Sequence, residues 1–142
     1  MDAKSYFRAA LGLSSAGAIF SGYLSGVKLF SGSCAFSEPC PYFLGYPACW
    51  YGFAMFLVLL GLASSGRFGG MKPWSSAWGV LAVSMLGTAF AGSFIVQELR
   101  AWFVAGHANF YGFGLPSCFY GLVFYAALLM LSASFILRKK DS

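Results

Sequence analysis

Four long stretches without a single acidic or basic residue constrain this chain more than any other feature. No Asp, Glu, Lys or Arg occurs from Ala9 to Val27, from Pro39 to Gly66, from Pro73 to Gln97 or from Ala101 to Leu137. Each window holds a helix of the roughly 20 residues that cross the hydrocarbon core of a bilayer. Backbone polar groups in hydrocarbon must be satisfied within the segment, so helices rather than open strands are required. The expected helices run over about residues 9–30, 47–64, 78–96 and 116–137, and the whole chain, 1–142, is expected to form a single four-helix transmembrane domain. Composition agrees, because a chain that is 59% hydrophobic and 9% charged has too much apolar surface for a water-soluble domain of this size. The fold class is therefore an all-α membrane protein, a bundle of four transmembrane helices.

The basic residues set an expected orientation, since short cytoplasmic segments carry the excess of Lys and Arg. Lys4 and Arg8 precede the first helix, Arg67 and Lys72 lie between the second and third, and Arg138, Lys139 and Lys140 follow the fourth. Only Lys28 and Arg100 fall on the other side. Both termini are then cytoplasmic, in a plasma or inner membrane, and all four cysteines face the extracytoplasmic side. The formal charge of +5 is topogenic on this reading, and nucleic acid is not an expected partner. No charged residue falls in the middle of a span, which argues against an ion pump or a carboxylate-lined transporter.

The second and fourth helices begin alike. Gly45-Tyr46-Pro47-Ala48-Cys49-Trp50-Tyr51-Gly52-Phe53 aligns with Gly114-Leu115-Pro116-Ser117-Cys118-Phe119-Tyr120-Gly121-Leu122, with five of nine positions identical. The same offset aligns Leu59, Leu60 and Leu62 with Leu128, Leu129 and Leu131. The chain reads as two helical hairpins related by a parallel repeat, which puts Cys49 and Cys118 at equivalent depth. Proline is tolerated in a first turn, where its missing N–H leaves no bond unmade, so Pro47 and Pro116 mark helix starts. Each following cysteine then lies in the first turn, where the helix dipole favours a thiolate. In the first helix Ser14, Ala18, Gly22 and Gly26 form a small-residue stripe, matched in the third by Ser84, Thr88 and Gly92. Both are expected to be packing seams.

Four cysteines on an oxidising side suggest disulfides, with three possible pairings. Cys34 and Cys40 share one short loop as C-x5-C, stiffened by Pro39 and Pro41, and are the favoured pair. Cys49 and Cys118 would then pair across the bundle or remain free. Metal binding is not expected, because His107 is the only histidine and no two cysteines have C-x-x-C spacing. Aromatic residues crowd the same side, among them Trp50, Tyr51, Phe119 and Tyr120. An interfacial belt explains them, and so does a flat apolar pocket for a quinone or lipid beside the two helix-start cysteines.

This layout resembles the vitamin K epoxide reductase family of membrane thiol-disulfide oxidoreductases. The resemblance implies a four-helix bundle, a loop cysteine pair matched by Cys34 and Cys40, and a redox centre opening the last helix, whose second cysteine is matched by Cys118. It also implies a quinone as electron acceptor and a thioredoxin-like extracytoplasmic partner. The family's C-x-x-C places two thiols three positions apart, so that one attacks and the other resolves the mixed disulfide. In Leu115-Pro116-Ser117-Cys118 the first of these is Leu115, so the resemblance is to a divergent member, with Cys49 as a non-contiguous second thiol. The competing expectation is a non-catalytic, disulfide-stapled four-helix membrane protein that binds a lipid or a partner subunit.

Overall fold

The computed structural model describes residues 2–31, 42–106 and 117–141. Four helices account for most of them: α1 (Ala3–Ser31), α2 (Ala48–Phe68), α3 (Pro73–Ala105) and α4 (Ser117–Asp141). All four are long and apolar enough to cross a membrane. Only 22–28% of the most apolar window of each is buried inside the protein, so most of that apolar surface needs a lipid surrounding. Leu57, Val58, Met85, Leu86, Val123 and Met130 all face outward.

Every helix runs past at least one end of its charge-free window. α1 begins at Ala3 instead of about residue 9, and α3 runs from Pro73 to Ala105 instead of 78–96. The windows mark where hydrocarbon excludes charge, whereas a helix continues into the headgroup layer, where Arg and Lys side chains reach water. Local chemistry sets the true ends. Pro73 occupies the first position of α3, and the Ser76 N–H already donates to the Lys72 carbonyl at 3.0 Å, the arrangement in which proline costs nothing. Gly69 closes α2 in the left-handed region, with φ 88°, which only glycine enters freely.

Before α2 the chain makes a small antiparallel hairpin, β1 (Tyr42–Phe43) and β2 (Tyr46–Pro47), with Tyr42 opposite Pro47 and Phe43 opposite Tyr46. Its turn residues Leu44 and Gly45 both have positive φ, 52° and 85°, as a two-residue hairpin turn requires. Sequence reasoning placed no strand there. Pro47 ends β2 and caps α2, which begins one residue later at Ala48.

Pairwise contacts fix an antiparallel arrangement around a ring in which each helix neighbours the next and α1 neighbours α4. Gly17 and Gly22 of α1 meet Phe56 and Phe53 of α2, and Leu62 of α2 meets Gly79 of α3. Gly87 of α3 meets Tyr125 of α4, and Tyr6 of α1 stacks on Phe135 of α4 with centroids 4.4 Å apart. α2 and α4 therefore lie diagonally and run in the same direction. They touch through the bundle centre, where the Phe56 and Tyr125 rings stack at 4.3 Å and 11°.

Together with Gly66, which meets Phe7, the tightest approaches are at Gly17 and Gly87. A methyl group on either would collide with the Phe56 or the Tyr125 ring, respectively. The stripes read from sequence caught the neighbouring buried residues Ser14, Ala18 and Ser84 but missed both of these glycines. Gly26 and Gly92, which belong to the stripes, have open space within 4 Å of where a side chain would begin. The reason is that a ring needs one cradle, three residues beyond the serine on the same helix face, rather than a repeat of four.

Candidate functional site at the cysteine end

The helix starts bring the two repeated motifs to one end of the bundle. Cys49 is the second residue of α2, and Cys118 is the second residue of α4. Both helices run the same way, so the backbone carries both cysteines in first turns at that end. Cys34 and Cys40 lie outside the described residues.

Cys49 is a free thiol, half-buried, on the flank of α2 that faces α1. The Ser25 hydroxyl of α1 donates to the Ser21 carbonyl at 2.8 Å and lies 3.4 Å from the Cys49 carbonyl. One turn inward, Gly22 allows the Phe53 ring to come within 3.0 Å of where a side chain would begin. This close seam between α1 and α2 is what holds Cys49 beside Ser25.

Successive helical residues point about 100° apart, and the structure follows this. Trp50 turns to the hairpin, its ring tilted against Tyr46 at 5.9 Å. Tyr51 turns to α3, against Phe90 at 5.8 Å. In the second motif Tyr120 turns to α1, against Phe20 at 5.7 Å, and Phe119 meets the Tyr120 ring edge-on at 6.2 Å. Tyr51 and Tyr120 are thus not brought together. One sits in the α2–α3 contact and the other in the α4–α1 contact, and all four rings, Trp50, Tyr51, Phe119 and Tyr120, are half-buried. An open apolar recess of about 470 Å³ runs along the last turns of α1 at the same end, lined by Tyr23, Gly26, Val27, Phe30 and Ser31.

Sequence reasoning missed a polar contact close to the site. The Tyr125 hydroxyl donates to the Gly52 carbonyl at 2.9 Å, one turn below Cys49, and so ties the start of α2 to the middle of α4. Tyr125 is 2% exposed, and a buried phenol needs such an acceptor. The available signal was the repeat itself, which sets Tyr125 against Phe56 and leaves one extra hydroxyl to be satisfied. Among the described residues no group of three or more His, Cys, Asp or Glu side chains is placed to hold a metal ion.

No protein-family model matches the chain, and neither a curated protein nor a solved structure is significantly similar to it.

Proposed function

We propose that this chain is a divergent membrane oxidoreductase of the vitamin K epoxide reductase type, built from two related hairpins with both termini in the cytoplasm. It would exchange thiols and disulfides at its extracytoplasmic end. A dithiol on an external thioredoxin-like protein is oxidised to a disulfide by the Cys34–Cys40 pair. The Cys34 and Cys40 thiols so formed would reduce a Cys49–Cys118 disulfide to two thiols by exchange and re-form their own disulfide, and the Cys49 and Cys118 thiols would close their disulfide again as two electrons and two protons pass to a quinone, giving its hydroquinone. Trp50, Tyr51, Phe119 and Tyr120 are the rings that would meet the quinone.

The observation that carries the reading is the free, half-buried thiol of Cys49 in a first turn, at the same end and on the same helix position as Cys118. A half-buried thiol is sheltered from bulk solvent yet within reach of a lipid-soluble oxidant. The hairpin relation is supported by matched roles at a constant offset. Phe56 and Tyr125, which align when the two cysteines align, form the central stack, and Leu59 and Leu128 are both fully buried. At an offset one residue longer, α1 and α3 also correspond. Gly17 and Gly87 cradle the two stacked rings, Phe20 and Phe90 meet Tyr120 and Tyr51, and Ser14 and Ser84 are buried with no hydrogen-bond partner for their hydroxyls among the described residues.

Thiol trapping on intact cells tests the proposal, using Cys49→Ser and Cys118→Ser variants with and without added quinone. The expected result is labelling of both thiols from the outer face by a membrane-impermeant maleimide, and a mixed disulfide that accumulates in one of the two variants. If neither thiol is ever labelled or trapped, the enzyme reading fails.

A second reading, a non-catalytic bundle, is favoured by Leu115 standing where the family has its first redox cysteine, and by the diagonal placement of α2 and α4. On that reading replacing any cysteine alters stability alone.

A further inference from the structure

The two ends of the bundle differ sharply in charge. Where α1 and α3 begin and α2 and α4 finish, the chain carries Lys4, Arg8, Arg67, Lys72, Arg138, Lys139 and Lys140 against the carboxylates of Asp2 and Asp141. That balance equals the whole formal charge of +5. All seven cations except Arg67, which is partly buried, are exposed.

Folding concentrates them further than the sequence does. The Lys139 ammonium lies 5.7 Å from the centre of the Trp74 ring, so the basic run ending α4 sits beside the start of α3 and Lys72. The Tyr6 hydroxyl and the Ser132 hydroxyl share a hydrogen bond of 2.8 Å, which fastens the first turns of α1, with Lys4 and Arg8, to the last turns of α4. The same end exposes large apolar side chains: Phe68 is 78% exposed, Trp78 48%, Met71 40% and Trp74 38%. Arg67 lies 5.8 Å from the Phe68 ring centre.

We propose that this end is a binding surface for anionic phospholipid headgroups. Arg and Lys side chains pair with the phosphodiester oxygens, while Trp74, Trp78 and Phe68 lie at the level of the headgroups and upper acyl chains, where aromatic rings are favoured. A soluble polyanion would satisfy the cations and leave these rings in water, whereas an anionic lipid covers both. The inference does not depend on the thiol chemistry at the opposite end.

The test is native mass spectrometry of the full chain released from nanodiscs, comparing retention of phosphatidylglycerol with that of phosphatidylcholine bearing the same acyl chains. Phosphatidylglycerol is expected to be retained about tenfold more at low salt, a preference that shrinks severalfold at high ionic strength as screening shortens the reach of the charges. Replacing Arg138, Lys139 and Lys140 together by Gln removes most of the preference, with helical circular dichroism checking that the fold is intact. If that variant does not fold, the salt dependence of the unaltered protein decides. Equal retention of the two lipids, a preference indifferent to salt, or a preference that survives in the folded variant overturns the proposal. So does displacement of phosphatidylglycerol by inositol hexakisphosphate at equal concentration, which would assign the surface to a soluble polyanion.

Discussion

The α1/α2 and α3/α4 halves of the bundle solve the same packing problem with different chemistry at one atom. In the first half Phe56 lies in the space left by Gly17, and in the second Tyr125 lies in the space left by Gly87. The rings then stack on each other across the bundle. Phe56 needs nothing more, whereas Tyr125 brings a hydroxyl that must find an acceptor and takes the Gly52 carbonyl. A similar asymmetry appears near the basic end. There the Tyr6 hydroxyl of α1 bonds to Ser132 of α4, and at the corresponding place in α3 the Ser76 hydroxyl bonds to the Leu62 carbonyl of α2. Shape is shared between the halves, and each polar contact is local to one of them. In lipid, where helices gain little from hiding apolar surface, close fit carries the shared part and hydrogen bonds add a smaller increment.

Truncating the stacked rings strikes the shared part most directly. Phe56→Ala and Tyr125→Ala should each destabilise the bundle by about 3–5 kcal/mol, the cost of removing a fully packed aromatic ring, measured by reversible unfolding in mixed micelles. A loss below about 1 kcal/mol for one and a large loss for the other would show that the halves do not share the load. Next in size, Gly17→Ala and Gly87→Ala should each cost about 1–3 kcal/mol through overpacking. The same change at Gly26 or Gly92, where nothing lies within 4 Å, should cost nothing measurable on the same unfolding curve.

The polar asymmetry is a smaller effect. Tyr125→Phe should lower stability by about 0.6–1 kcal/mol, and the reverse change, Phe56→Tyr, should give no gain unless its hydroxyl finds an acceptor. A double-mutant cycle between Tyr6→Phe and Ser132→Ala should return a coupling of about 0.6 kcal/mol; zero coupling would mean that stacking on Phe135 alone holds that contact. Smallest of all, Cys49→Ser should shift stability by less than about 0.5 kcal/mol, since the thiol is half-buried and is not part of the stacked core. Its effect should appear in thiol trapping instead.

Much of the fold was legible because hydrocarbon is an unforgiving solvent. Four windows free of Asp, Glu, Lys and Arg marked four spans, and the repeated Gly-Pro-Cys-Tyr-Gly pattern marked two matching helix starts. Pro47 and Cys49 stand within a residue of the expected places. The helix ends were not legible, since Arg8, Glu98 and Arg100 are compatible with a helix once it leaves the hydrocarbon. The hairpin at Tyr42–Pro47 was hidden because its turn begins with Leu44, a residue that rarely takes a positive φ. At the candidate site, the sequence named Cys49, Trp50, Tyr51, Phe119 and Tyr120 as one aromatic cluster around thiols.

The order of residues was therefore enough to mark four apolar spans, the lipid surrounding they need, the gathering of positive charge outside those spans, and the repeated helix-start motif. Each of these depends on transfer energies or on identity along the chain, and needs no knowledge of neighbours. Packing in three dimensions chose which glycines are cradles, that α2 and α4 stand diagonally, that Tyr51 and Tyr120 serve different helix contacts, and that Tyr125 reaches Gly52. Those outcomes depend on how four helices rotate about their own axes. A turn of about 100° per residue sends adjacent side chains to different neighbours, and only contact with a partner helix fixes where each one goes.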